Sequence, residues 1–166
     1  VMYCDTDSVI FATREDKREW FIPPLADFLG DMTDEIAKDF GDGSKIISFS
    51  SGGPKNYGYL VRTPEGNEIW QAKCKGINLT SAAVNVVNYD RIKRFAQFHR
   101  NHGNQPGIRD VYPSAKVPQV QFRADIDHNV ISKTFNKTYK CVFSKRAIIT
   151  DEFLNNYQTL PFGFRA

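Results

Sequence analysis

Cysteine is scarce in this sequence of 166 residues, and long apolar runs are missing. The three cysteines, Cys4, Cys74 and Cys141, lie far apart in the chain. An odd number of scattered cysteines supports neither a disulfide framework nor a zinc site of the CxxC type. No run approaches the ~20 apolar residues that a membrane-spanning helix needs. We therefore expect an intracellular protein of a reducing compartment, without a membrane partner.

The chain also lacks an initiating methionine and the marks of a signal peptide. It opens on Val1-Met2-Tyr3-Cys4, with no basic region followed by a long apolar one. An apolar run at the very first residue is typical of a chain that begins inside a structural element. We expect the sequence to be a fragment of something longer.

Net charge is small, at +3, but it is unevenly distributed. Residues 1–53 carry 5 basic and 11 acidic residues, net −6, and residues 54–166 carry 17 basic and 8 acidic residues, net +9. The hydrophobic fraction of 41% is sufficient for a folded core. An acidic part followed by a basic part suggests a metal or acidic site joined to a surface that binds polyanions.

The pattern of apolar residues and turn formers predicts an α+β fold, mainly antiparallel, with a boundary near residue 80. Two hairpins are expected, one from strands 1–3 and 8–11 and one from strands 57–62 and 68–72, whose turn is Pro64-Glu65-Gly66-Asn67. Asn88 is expected to cap an amphipathic helix that runs to His99. Further strands are expected at residues 46–49, 117–122, 129–135, 139–143 and 147–149, with a turn at residues 50–54. Residues 25–32 fit either a short helix or a turn with a short strand.

The strongest local motif is Tyr3-Cys4-Asp5-Thr6-Asp7-Ser8, between two short hydrophobic strands. Asp5 and Asp7 concentrate negative charge at a tight turn, and such charges repel each other unless a cation lies beside them. Carboxylate oxygens favour Mg²⁺ or Mn²⁺. The alternative is an Asx-type turn in which one aspartate only accepts backbone hydrogen bonds.

The full hexapeptide resembles the motif C hairpin of family B DNA polymerases. Reverse transcriptases and viral RNA replicases have adjacent carboxylates in this place, and Thr6 separates the chain from both. The resemblance implies that Asp7 ligates the metal directly and that Asp5 is the supporting carboxylate. It also implies that Tyr3, Thr6 and Ser8 support the hairpin.

Two further segments follow in the order that the same family has. Lys55-Asn56-Tyr57 resembles the family's Lys-x-Tyr motif, which holds the primer terminus, and on an extended strand both side chains would share a face. Lys75-Gly76 resembles its Lys-Gly segment at the edge of palm and thumb. Without the other motifs, Tyr57 would be interpreted as a half-buried packing residue and the lysines as solvated surface charges.

Further details of the sequence resemble the protein-primed branch of the family, which is found in certain viruses, linear plasmids and Maverick/Polinton transposons. A protein derived from such a transposon would be nuclear. Three stretches carry this likeness: residues 29–35 (Leu-Gly-Asp-Met-Thr-Asp-Glu), residues 51–57 (Ser-Gly-Gly-Pro-Lys-Asn-Tyr) and residues 161–164 (Pro-Phe-Gly-Phe). The resemblance implies a palm sheet with the motif C hairpin over residues 1–79. A smaller thumb of helices and strands with the C-terminal region follows over residues 80–166.

The resemblance implies a DNA-directed DNA polymerase that transfers nucleotides by two-metal catalysis, with Mg²⁺ or Mn²⁺ as cofactor. Its partners would be a DNA primer-template, deoxynucleoside triphosphates and a terminal priming protein. The family's motif A aspartate and motif B lysine precede motif C, and the sequence matches neither. We therefore expect the 166-residue chain by itself to be catalytically inactive.

Two other hypotheses remain open from the sequence. The first is a non-catalytic DNA-binding remnant of a decayed mobile-element or viral polymerase. The second is an α+β domain whose aspartate-rich turn is only structural.

Overall fold

The fold, seen in a computed structural model, is described for residues 1–13, 23–26, 28–102, 113–142, 146–150 and 157–161, the last two ranges by their backbone. These residues form two compact units. The first comprises Val1–Ile47 and Val61–Ile69, and the second comprises Ser48–Leu60 and Trp70–Ala166. In the described ranges, no helix has both the length and the apolar character needed to cross a membrane.

Paired antiparallel strands and a few helices make up the described chain, which confirms the predicted α+β class. The strands are β1 (Tyr3–Asp5), β2 (Ser8–Ile10), β3 (Lys45–Gly53), β4 (Asn56–Arg62), β5 (Glu68–Cys74), β6 (Ser114–Ala124), β7 (Val130–Lys140), β8 (Arg146–Thr150) and β9 (Tyr157–Pro161). The helices are α1 (Glu35–Phe40), α2 (Ser81–Val84) and α3 (Tyr89–His102). Four sheets result, β1-β2, β3-β4-β5, β6-β7 and β8-β9.

Most predicted elements are present, since strand alternation and turn residues are local signals. The two predicted hairpins are confirmed as β1-β2 and β4-β5. Helix α3 begins where it was predicted, because the Asn88 side chain accepts a hydrogen bond from the backbone N–H of Arg91 at 3.0 Å.

Several predictions of element boundaries are wrong. The turn expected at residues 50–54 begins later, because β3 continues to Gly53. The two strands expected at residues 129–135 and 139–143 are one continuous strand, β7, paired with β6 along its whole length; residue 143 lies outside the described residues. Elements α1, α2 and β9 were not predicted.

The segment around Gly30 is a turn rather than a helix. Leu25 and Met32 form a single parallel bridge, and the backbone N–H of Asp31 donates to the carbonyl of Phe28 at 3.0 Å. A helix follows only after Asp34, whose carboxylate accepts hydrogen bonds from the first turn of α1. Of the three stretches similar to the protein-primed branch, residues 162–164 lie outside the described residues.

The core of the second unit lies where α2 and α3 pack against one face of the β6-β7 sheet. Its fully buried side chains include Val87, Ile92 and Val117, and the rings of Phe95 and Tyr139 stack at 5.7 Å. This core fixes the position of β7 and therefore of the charged residues at its end.

Candidate functional site

The aspartate hairpin, residues 3–8, is a two-residue turn between β1 and β2. Asp5 pairs with Ser8, which leaves Thr6 and Asp7 in the turn. The backbone N–H of Asp7 donates to the carbonyl of Asp5 at 2.7 Å, and Thr6 has a φ of 54°. Asp5 is consequently half-buried at the strand end, whereas Asp7 is exposed at the tip.

Two hydroxyl groups of this hairpin donate hydrogen bonds to Asp5. The Thr6 hydroxyl donates to the Asp5 carboxylate at 3.3 Å, and the Ser8 hydroxyl donates to the Asp5 carbonyl at 3.2 Å. Tyr3 pairs with Ile10 and lies on the same face of the strand as Asp5, two residues away. Of the three residues predicted to support the hairpin, Thr6 therefore contacts the Asp5 carboxylate, Ser8 contacts the Asp5 backbone carbonyl, and Tyr3 lies on the same face of β1.

The donor set of the aspartate hairpin fits a hard cation in type but supplies few ligands. Asp5 and Asp7 offer carboxylate oxygens, which Mg²⁺ and Mn²⁺ prefer. Across the ranges that the structure describes, no group of three or more His, Cys, Asp or Glu side chains is placed to hold a metal. A cation at this turn would therefore need further oxygen ligands from water, a phosphate or another carboxylate.

The turn that carries Lys55 belongs to the second unit. It connects β3 to β4 through Pro54 and Lys55, with a φ of 120° at Gly53 and of 55° at Lys55. Lys55 is thus exposed in a turn, and the prediction that its side chain shares one face of an extended strand with Tyr57 is wrong.

Tyr57 lies at the start of β4 and is only 8% exposed. Its ring packs against Phe49 at 5.8 Å and against Tyr59 at 6.2 Å between centroids. Burial on this scale leaves little of the ring for a sugar or a base, so the side chain of Tyr57 serves packing within the second unit.

The Lys-Gly segment at the end of β5 lies beside the Lys55 turn. The backbone N–H of Lys75 donates to the carbonyl of Lys55 at 2.8 Å, although the two residues are far apart in the chain. Gly76 has a φ of 73°, a conformation that favours glycine, and this bend keeps the segment at the end of the strand. The structure thus brings together Lys55, Lys75 and Gly76, three of the residues predicted to bind the primer.

Asn56 anchors the turn from inside, and sequence reasoning missed it. Its side chain is buried, donates to the carbonyl of Gly52 at 3.3 Å and accepts a hydrogen bond from the Tyr139 hydroxyl at 3.0 Å. An asparagine between Lys55 and Tyr57 gave no sign of this partner, because Tyr139 lies 83 residues away in sequence.

The two glycines before Pro54 allow the segment that follows β7 to approach the turn closely. The backbone N–H of Val142 donates to the carbonyl of Gly52 at 2.7 Å. A Cβ at Gly53 would lie 2.1 Å from the carbonyl oxygen of Val142. The Gly-Gly pair, which the sequence presented only as a turn signal, is therefore a close backbone contact.

Two lysine-lined grooves flank the Lys75 segment. One, of about 330 Å³, is bordered by Lys75, Lys137 and Lys140 and floored by Ile77 and Tyr139. The other, of about 370 Å³, is bordered by Lys55, Lys73 and Lys75. The ammonium group of Lys137 donates to the carbonyl of Gly76 at 2.6 Å, so β7 contributes directly to the rim of the first groove.

The groups beneath the first groove stay uncharged near neutral pH. Burial raises the pKa of the Cys74 thiol to about 11, and burial does the same for Cys141. Burial also raises the pKa of the Tyr139 hydroxyl well above its usual value. The charge of the groove is therefore set by its exposed lysines, and the arrangement suits a phosphate-bearing ligand.

Comparison of the chain with protein-family models, with curated proteins and with solved structures finds no significant match to any of them.

Proposed function

We propose that the chain is the C-terminal palm and thumb portion of a DNA-directed DNA polymerase, in which the second unit binds the primer-template and the aspartate hairpin serves nucleotidyl transfer. The proposal rests on three sequence motifs in the order that family B polymerases have. The motifs are Tyr-x-Asp-Thr-Asp-Ser at residues 3–8, Lys-x-Tyr at residues 55–57 and Lys-Gly at residues 75–76.

The observation that carries the proposal is the backbone hydrogen bond between Lys75 and Lys55. The two lysines were assigned to the primer from separate motifs, and the bond makes them neighbours on one surface. Lysine ammonium groups bind phosphates as point charges without reading the bases. A replicating enzyme needs binding of this kind because it must accept every sequence.

At the aspartate hairpin, Asp7 would ligate the cation directly and Asp5 would support it. A bound Mg²⁺ or Mn²⁺ lowers the pKa of the primer 3′-hydroxyl and neutralises the charge of the incoming triphosphate. The Thr6 hydroxyl donates to the Asp5 carboxylate, which restricts that carboxylate before a ligand arrives, and the Ser8 hydroxyl ties the Asp5 backbone carbonyl into the turn. The motif A aspartate and the motif B lysine must come from elsewhere, and the isolated chain is expected to bind DNA without extending it.

The test is the variant Asp7→Asn in a version of the protein that also contains the motif A and motif B segments. We expect it to abolish nucleotide incorporation at a primer terminus while leaving the affinity for primer-template unchanged. Asp42→Asn is the matched control, because Asp42 is an exposed aspartate in the turn after α1. Incorporation that survives Asp7→Asn would reject the assignment.

A DNA-binding protein without catalysis is the second candidate. It is favoured by one observation: both lysine-lined grooves lie within the second unit, whereas the aspartate hairpin belongs to the first. Under this candidate, charge removal at Lys55 and Lys75 weakens DNA binding. Asp7→Asn has no effect on any reaction, even in the longer protein, because that protein does not incorporate nucleotides.

A further inference from the structure

The β6-β7 sheet has one face that is covered near the start of β6 and the end of β7, whereas the other face is open along its whole length. Its pairing places Ala115, Val117, Gln119 and Tyr139 on the same face, and all four are buried against the core. The Gln119 side chain also exchanges two hydrogen bonds with the backbone of Asn78, at 2.7 and 3.0 Å. This face is therefore used for folding.

The opposite face, which we call the open face, consists of the even-numbered residues of both strands, 114–124 and 130–140. Of these twelve residues, all except Pro118 are exposed. Phe122 and Val130 are 74% and 78% exposed. An aromatic ring this accessible on a regular sheet is available for contact with a ligand.

Charge on the open face has a single sign. Lys116 and Lys140 lie near one end, and neither strand contains an acidic residue. The Lys116 ammonium donates to the Thr138 hydroxyl at 2.7 Å, which holds its charge over the face. The aspartates of the connecting turn lie beyond the strands, where the Asp125 carboxylate accepts backbone hydrogen bonds from Asp127 and Asn129.

We propose that the open face binds single-stranded nucleic acid. Bases stack on the ring of Phe122, and the phosphates lie against Lys116 and Lys140. The hydroxyl and amide side chains between them, Thr134, Asn136 and Thr138, offer hydrogen bonds to the strand. A positively charged track with an exposed aromatic ring is the usual means of binding single strands without sequence preference.

Continuity with the first groove favours a nucleic acid over a protein as the occupant. Lys140 belongs both to the open face and to the rim of the groove that Lys75 and Lys137 border. Lys137 and Tyr139 of this groove lie on the other face of the sheet, so the groove and the open face meet at Lys140. A strand that leaves the groove there meets one further cation, Lys116, before it reaches Phe122. The inference extends the DNA-binding surface beyond the primer contacts and does not depend on metal chemistry.

The experiment measures fluorescence anisotropy of a labelled oligothymidine about 20 nucleotides long, longer than the ~4–16 nucleotides that one binding domain usually covers. Phe122→Ala in the full chain should weaken binding about tenfold, because stacking of one base is lost. Phe28→Ala is the matched control, since Phe28 is 84% exposed but lies in the first unit. Lys116→Gln and Lys140→Gln should each lower the slope of log affinity against log salt by about 0.7, the contribution of one phosphate of a single strand.

Wild-type affinity for oligothymidine in Phe122→Ala would overturn the inference. So would self-association of the chain that Phe122→Ala abolishes without a change in oligothymidine binding, because the open face would then be an interface between copies. A different result would reject the proposed primer contacts of the polymerase without affecting the open face. Suppose that Lys55→Ala and Lys75→Ala leave primer-template binding unchanged while Phe122→Ala weakens oligothymidine binding. The proposal for the open face is then supported, and the assignment of Lys55 and Lys75 to the primer is rejected.

Discussion

The backbone N–H of Lys75 donates to the carbonyl of Lys55 at 2.8 Å. A turn between two strands and the end of a third strand are thereby fixed to each other through main-chain atoms. Both lysine side chains are exposed from this junction, so their charges act on the same surface. Main-chain bonding also means that either side chain can be replaced without loss of the junction.

Lys55→Ala and Lys75→Ala are expected to weaken primer-template binding to a similar extent for every DNA sequence. Each should lower the slope of log affinity against log salt by about 0.9, the contribution of one phosphate of duplex DNA. A salt titration by fluorescence anisotropy measures the slope. Lys38→Ala, an exposed lysine of α1, serves as the control; an equal effect of this variant would mean that the junction has no special role.

Tyr139→Phe is expected to destabilise the fold by about 1–3 kcal/mol, because it leaves the buried Asn56 side-chain oxygen without its hydrogen-bond donor. Urea unfolding measures the free energy. Phenylalanine keeps the ring that stacks on Phe95, so loss of the hydroxyl is the change being tested. In a double-mutant cycle with Asn56→Ala, additive losses would show that the two side chains do not interact.

Gly53→Ala is expected to cost more stability than Gly66→Ala, by about 1–3 kcal/mol. Both glycines have a positive φ, of 120° and 86°, so alanine is strained at either position. At Gly53 the added Cβ also meets the Val142 carbonyl, whereas at Gly66 nothing lies within 4 Å. Thermal unfolding of the two variants compares them, and equal losses would contradict the close contact of Gly53 with Val142.

Local signals made part of the fold predictable. The hairpins follow from alternating residues around turn formers, and the start of α3 follows from Asn88. The placement of Lys55 was wrong because residues 50–54, which end in Gly-Gly-Pro, were predicted to be the whole turn. In the structure β3 runs through both glycines, and the turn moves forward onto Lys55.

Long-range contacts were beyond sequence reasoning at the candidate site. Motif order suggested that Lys55 and Lys75 serve one ligand, but their hydrogen bond depends on where β4 begins and where β5 ends. The roles of Asn56 and Lys137 depend on β7, which brings Tyr139 beneath the turn and Lys137 to Gly76. A lone asparagine or lysine carries no pattern that records such a partner.

Two thiols, that of the buried Cys74 and that of the half-buried Cys141, are expected to make the fold less stable at alkaline pH. Burial raises the pKa of Cys74 and of Cys141 from the ordinary value of 9.0 to about 11. Between these pH values the thiols of the unfolded chain lose their protons while those of the folded chain keep them. The unfolded state then binds fewer protons than the folded state. The free energy of unfolding therefore keeps its full value below pH 9 and decreases as the pH rises towards 11.

Urea unfolding at a series of pH values tests this dependence. Each thiol should contribute a loss on the order of 1 kcal/mol per pH unit across the window. Cys74→Ala should lower stability at neutral pH, because it leaves a cavity, but should make the alkaline decline shallower. Cys4→Ala removes an exposed thiol and should leave the decline unchanged. If the decline is as steep in Cys74→Ala as in Cys4→Ala, then the ionisation of Cys74 is not coupled to folding.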